Sequence, residues 1–236
     1  HTEILLETDG KMGIYRKEGG KLIYKEKADS EDGYLGMYLF LMGKYLEKTE
    51  STDLPEHWKK GISLALKKIQ SLMQDGITQV SEENTTVYLM DNLEVWRGLY
   101  ELELAGLEDT QAISEMRKKI QEQIEKRFWD DANQRWRIIG NSDRYHQTEF
   151  YPDGVAQIYP LIYEFPIKEK KKQKVLYDQF TERFQWQKLN KKRTGFLWAM
   201  TGMAAAQMRD IDNLVEFIGN YETEYCKERK YPLYTG

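Results

Sequence analysis

The chain is poor in the residues that build redox and metal chemistry, with one cysteine and three histidines in 236 residues. A lone Cys226 allows no internal disulfide framework and no zinc–thiolate cluster. His1, His57 and His146 are scattered without the spacing of metal ligands, so no metal and no cofactor is expected. Long apolar runs are missing too: no stretch approaches the ~20 residues that a membrane span requires. Charge of a single sign is equally scarce. The 35 basic and 39 acidic residues are interspersed, for a formal net charge of −4. With no basic field to grip a phosphate backbone, nucleic acid is a poor partner. No P-loop, dinucleotide fingerprint or G-x-S-x-G elbow occurs. The chain begins at His1 rather than Met, which implies that something preceded it and leaves an extracytoplasmic location as the favoured expectation.

Apolar and aromatic residues are plentiful. They make up 40% and 13% of the chain, with 16 Tyr and 6 Trp, enough for a sizeable core and a surplus for a binding surface. Apolar helical segments recur at 34–46, 94–107, 154–165 and 195–208. Each is apolar on nearly every side, as interior helices are. Between them lie charged amphipathic segments with apolar residues three and four apart. The stripes are Ile62, Leu66, Ile69 and Met73; then Ile113, Met116, Ile120, Ile124 and Phe128; then Leu176, Phe180 and Phe184; and last Ile211, Leu214, Val215 and Ile218. The order is inner, outer, four times over. The run "KEKKKQK" reads as the solvated start of the third outer helix.

Outer-to-inner links are longer and carry strand-like pieces. In "ILLETDGKMGIYRKEGGKLIYKEK" the DG and GG pairs read as hairpin turns, and "RFWDDANQRWRII" reads the same way. The predicted fold is all-α: a single domain over 1–236, an α/α toroid of four visible helical hairpins with small β-hairpin decorations. Four pairs are too few for a filled ring of six, so at least one N-terminal hairpin is expected to be missing.

Inner helices open on acids: Asp29 and Asp32, then Asp91 and Glu94, then Asp153, while the fourth opens on Thr194. Capping explains each alone. Asp91 with Glu94 fits a capping box, and acids suit a helix dipole. Together they suggest more, because parallel inner helices would bring these acids into one pocket and raise some of their pKa values. Tyr34, Tyr88, Trp96, Trp129, Trp136, Tyr145 and Tyr151 fall in the same links. Carboxylates beside aromatic faces suit a sugar, with Trp129 and Trp136 the stronger surface candidates.

The stretches "ADSEDGYLGMYLFLMGKYLEKT", "YLMDNLEVWRGL" and "YPDGVAQIYPLIYEF" resemble motifs of the six-hairpin, (α/α)6-toroid glycosidase superfamily, nearest to bacterial proteins akin to glycoside hydrolase family 8. The resemblance implies an inverting hydrolase with two carboxyl groups roughly 6.5–9.5 Å apart. It places the family's general acid upstream of His1, makes Asp29 and Asp32 sugar ligands, and makes Asp153 the candidate base. Glu94 is the candidate acid within the chain. Asp91, Tyr88, Trp96, Trp129, Trp136, Tyr151 and Gln157 are the remaining substrate contacts, with Asp91 read mainly as a helix cap. Where the family carries an Arg shortly after the later Asp, this chain has Ala156 and Gln157. A catalytically silent carbohydrate-binding toroid and a helical scaffold for protein partners are the alternatives.

Overall fold

The computed structural model describes residues 2–50, 54–107, 110–141, 149–168, 170–189, 194 and 198–227. The fold is all-α with small β-hairpins. No helix among the described residues is long and apolar enough to cross a membrane. The chain forms two compact units, His1–Trp129 with Ile139–Asp143, and Asp130–Ile138 with Arg144–Gly236.

The first unit opens with a short helix, α1 (Thr2–Glu7), and a hairpin of β1 (Gly13–Glu18) and β2 (Lys21–Lys27). Gly19 and Gly20, both at positive φ, turn that hairpin. The DG pair behaves differently from expectation. Asp9 and Gly10, at φ 53 and 84, terminate α1 instead of joining strands. Leu5 is fully buried and α1 packs on the third helix, so tertiary contact overrides the strand-like pattern of "ILLE".

Four longer helices follow: α2 (Glu31–Thr49), α3 (Glu56–Leu72), α4 (Leu89–Leu104) and α5 (Thr110–Phe128), with the short pair β3 (Met73–Gln74) and β4 (Ile77–Thr78) between α3 and α4. The inner and outer roles are as expected. α2 and α4 bury most of their surface, whereas α5 buries only Ile113, Ile120, Ile124 and Phe128. Glycine lets α2 and α4 approach backbone to backbone. A Cβ on Gly98 would stand 2.2 Å from the Gly36 carbonyl oxygen, and one on Gly36 would stand 2.6 Å from the Val95 nitrogen. The contacts also fix direction. Gly33 faces Glu94, Gly36 faces Val95 and Gly98, and Gly43 faces Glu101, so both numbers climb together and the helices are parallel. Lower down, Glu101, 2% exposed, takes Arg97 at 2.6 Å and Lys44 at 3.0 Å, a buried charge held by two cations as such burial demands.

The second unit holds the hairpin of β5 (Trp129–Asp130) and β6 (Arg135–Trp136) from Asp130 onward, then an irregular turn at Phe150–Gly154 leading into α6 (Val155–Ile162). After these come α7 (Lys170–Phe184), a 3-10 turn at Trp186–Lys188, α8 (Met200–Met208) and α9 (Ile211–Tyr221), with one further turn at Glu222–Lys227. Here too the inner pair is parallel. Tyr159 on α6 stacks on Trp198 just before α8, and Gln207 in the last turn of α8 donates to Glu164 just after α6 at 2.6 Å.

Residues 195–197, where the fourth inner helix was expected to begin, lie outside the described residues, as do Tyr145 and His1. The fourth outer stripe needs correction. Ile211, Val215 and Ile218 are 60%, 62% and 47% exposed, and Phe217 is the buried anchor of α9. Leu214 and Phe217 both approach Gly202 of α8. A period of three to four is shared by both sets, so spacing alone picked the wrong face.

Candidate functional site

The acids that open α2 and α4 do converge. Ser30, not an acid, is the N-cap of α2, and its Oγ accepts from the Gly33 N–H at 3.1 Å. The same hydroxyl lies 2.9 Å from Asp32 Oδ1 as donor. α4 begins at Leu89 after Tyr88, which makes no side-chain cap. Asp91 therefore sits inside the first turn, and its reading as the cap is corrected. Register explains the difference: Tyr88 pairs in extended form with Ile139, so the helix can start at the next residue and carries Asp91 a turn inward.

The crowding is seen at one point. A Cβ on Gly33 would stand 2.6 Å from Glu94 Oε2, 2.8 Å from Ser30 Oγ and 3.5 Å from Asp91 Oδ1. Glycine leaves that space to two carboxyl groups and a hydroxyl. Asp32 is fully buried beneath them, Glu94 is half-buried, Asp29 is exposed, and Tyr34 is 41% exposed at the edge. The Tyr34 hydroxyl is pushed above its usual pKa by burial and then by the charges of Asp29 and Glu94, which puts all three within electrostatic reach of one another.

Crowding has the electrostatic consequence expected of it. Burial, then the charges of Asp32 and Glu94, hold the Asp91 carboxyl well above the ordinary range. Its Oδ2 is out of reach of water and has no hydrogen-bond partner among the described residues. Burial also raises Asp32, against hydrogen bonds from Thr78 and Ser30 that favour its ionised form. Hydrogen bonds tie Asp32 to the residues beneath it. Thr78 Oγ1 carries one hydrogen yet stands 2.7 Å from Asp32 Oδ2 and 2.9 Å from Asn92 Oδ1. Asn92 cannot turn its amide round. Its Oδ1 takes the Thr78 N–H at 2.9 Å, and its Nδ2 donates to the carbonyls of Thr78 and Tyr88. The Thr78 hydroxyl thus bridges Asp32 and Asn92 and ties the start of α2 to that of α4. Sequence reading passed over Ser30, Thr78 and Asn92; nothing in their spacing marks them as the floor under the acids.

A pH effect follows. Unfolded Asp titrates near ~3.9, whereas folded Asp32 and Asp91 keep their protons to higher pH. The folded chain then binds more protons than the unfolded one, so stability is full below the unfolded range and falls as pH rises through the folded values. Asp91→Asn keeps the shape and removes the Asp91 share of that loss. Urea midpoints should agree for variant and unsubstituted chain near pH 4 and diverge upward in the variant's favour toward pH 8. Curves that run parallel would contradict the protonated Asp91.

The remaining candidates fall elsewhere. Trp96 is 2% exposed, stacked 5.5 Å from Tyr100, and belongs to the core instead of a groove wall. Tyr88 is half-buried. Trp136, expected at the surface, is 3% exposed, and its indole donates to Gln173 at 3.2 Å. Gln157 exchanges two 2.9 Å hydrogen bonds with the Trp136 backbone, accepting from its N–H and donating to its carbonyl. That pairing fastens β6 to α6 and explains the burial. Trp129 is half-buried and Tyr151 is 52% exposed. Asp153, in the turn before α6, is 5% exposed and lines a cavity of about 320 Å³ together with Trp136 and Gln157. Glu94 lies in the first unit and Asp153 in the second. Among the described residues no group of three or more His, Cys, Asp and Glu is arranged to hold a metal ion.

No family model matches the chain. No curated protein matches it either. Among solved structures it is similar to a GH78 family rhamnosidase of Bacillus sp. GL1, a distant glycoside hydrolase neighbour, at 10% sequence identity and a TM-score of 0.47. The similarity covers 85% of this chain and 20% of that one, so the chain spans about a fifth of its neighbour's length.

Proposed function

We propose that the first unit presents a saccharide-binding hollow at the parallel starts of α2 and α4, and that the chain is a glycoside hydrolase of α/α-toroid type. One observation carries this reading: carboxyl groups crowd around Gly33, where burial and the neighbouring charges raise the Asp91 carboxyl well above its ordinary range. Glu94, half-buried at the hollow, is the group that exchanges a proton with a glycosidic oxygen. Asp91 shares the charge burden and keeps a proton at hand. Asp29 accepts from sugar hydroxyls at the rim, and Tyr34 and Tyr88 offer ring faces to the C–H side of a sugar. Carboxyl groups whose environments push their pKa values apart are the usual means of acid chemistry near neutral pH.

A second reading has its own support. Glu94 Oε2 and Asp91 Oδ1 both lie within 3.5 Å of the Gly33 point, closer together than the roughly 6.5–9.5 Å that an inverting pair leaves for water. These two alone make a binding site and a proton donor, not an inverting pair. The readings separate in one experiment. A panel of β-glucans and other polysaccharides is scored in parallel for binding and for new reducing ends. Hydrolysis predicts both signals on the same glycan; binding without reducing ends leaves the silent binder; neither signal removes the saccharide reading.

A further inference from the structure

α2 is apolar on nearly every side, yet one side of it is open to solvent. With 3.6 residues per turn, Tyr34, Met37, Leu41, Tyr45 and Lys48 fall on one stripe about 80° wide. Tyr34, Leu41 and Tyr45 are 41%, 52% and 42% exposed, and Met37 is half-buried. Trp58 of α3 widens the patch, edge-on to Tyr45 at 5.0 Å. The packing on α4 uses Gly33, Gly36 and Gly43 instead, so the stripe lies on a different side of the helix. From Tyr34 to Tyr45 it runs about 16 Å. Steps of three, four and four are those of a helix-packing seam. Helices apolar all round belong in an interior, and an apolar patch this long marks an interaction site. The two ends of the stripe differ in charge. Lys48, whose side chain is 78% exposed, closes one end. Its 3.6 Å contact with Glu47 is a surface pair, of the kind worth little, and Glu47 itself lies about a third of a turn off the stripe. Asp29, exposed, precedes the other end.

We infer that the stripe is a self-association surface, which seats α2 of a second copy antiparallel to α2 of the first. A two-fold axis midway between Tyr34 and Tyr45 sets Tyr34 against the partner's Tyr45, Met37 beside the partner's Leu41, and Lys48 beside the partner's Asp29. The seam is complementary to itself, as a two-fold contact requires. Charge fixes the sense. Antiparallel copies join Lys48 to Asp29 twice over and oppose the helix dipoles, whereas parallel copies set lysine on lysine and aspartate on aspartate. At about 200 Å² for an aromatic side chain, the exposed fractions leave roughly 400 Å² on each copy. The pair would bury about 800 Å², the range of weak, reversible partners. Tyr34 edges the hollow at Gly33, so the partner's Tyr45 and the partner's Lys48 come to its rim. The inference does not rest on the saccharide reading.

Sedimentation equilibrium of the whole chain from about 1 to about 100 µM tests it. The expected result is a monomer–dimer equilibrium with a micromolar dissociation constant. Leu41→Glu should weaken it by about a hundredfold, because a carboxylate from each copy would be buried at the centre. Lys48→Glu should weaken it by about tenfold, and adding Asp29→Lys should restore most of that loss, since the reversed pair makes the same contact. An unchanged melting midpoint in Leu41→Glu excludes a folding artefact; should that variant unfold, the charge reversals decide alone. A monomer at every concentration overturns the inference. So does a dimer indifferent to Leu41→Glu, which would use another surface. Failure of the double reversal to restore the dimer overturns the antiparallel seat. No glycan is needed, so a chain that binds no sugar still answers the question.

Discussion

Gly98→Ala should destabilise the first unit by about 3 kcal/mol, at the upper end of what overpacking usually costs, and lower its melting midpoint by roughly 6–12 °C. Alanine is the better helix former by about 1 kcal/mol, so propensity alone predicts the opposite sign. Packing wins because the new methyl would meet the Gly36 carbonyl oxygen at 2.2 Å. That atom is main chain on a buried helix and cannot swing aside, so α2 and α4 must separate along their length. Separation would also loosen Glu101 from Lys44 and open the hollow at Gly33. A control lies on α9, where a Cβ on Gly219 would meet nothing within 4 Å. Gly219→Ala should be neutral or stabilise by about 0.5–1 kcal/mol. Equal effects at the two positions would show that the close parallel packing of α2 on α4 is not what holds the unit together.

Glu94→Gln should cost about 10²–10⁴ in kcat on any glycan the chain cleaves, the usual worth of a positioned proton donor, while KM changes little. Glutamine keeps the volume and the hydrogen-bonding reach, so the fold should survive. Asp29→Asn should do the reverse, raising KM and sparing kcat, because Asp29 stands exposed at the rim and only touches the ligand in this account. A Glu94→Gln enzyme within about threefold of the unsubstituted rate would remove Glu94 from the chemistry. Loss of both parameters together in each variant would mean that the hollow was simply disturbed.

Much of this was legible in the residues. Inner and outer helices follow from the width of their apolar faces, and the nearness of Asp32, Asp91 and Glu94 follows from α2 and α4 running parallel, whereas Asp153, expected in the same pocket, belongs to the second unit. Glycines at 36, 43 and 98 were a readable signal as well. Each weakens a helix, so three in two apolar helices point to close approach. Other features depend on which elements meet, and spacing does not report that. Asp91 reads as a cap because the backbone pairing of Tyr88 with Ile139 is invisible in sequence, and that pairing moves the helix start. Trp96 and Trp136 read as walls because a ring suits core and groove equally; Tyr100 and Gln173 decide the matter.

The proposed site needs the acids at the two helix starts to crowd closely enough to hold a proton there. Carbon-13 NMR of the Asp91 side-chain carboxyl, titrated with pH in the unsubstituted chain and in Glu94→Gln, tests this most directly. The prediction is a protonated Asp91 signal persisting where free aspartate is fully ionised, and a titration that moves to lower pH once Glu94 loses its charge. An Asp91 that titrates like free aspartate and ignores the change at Glu94 would contradict it.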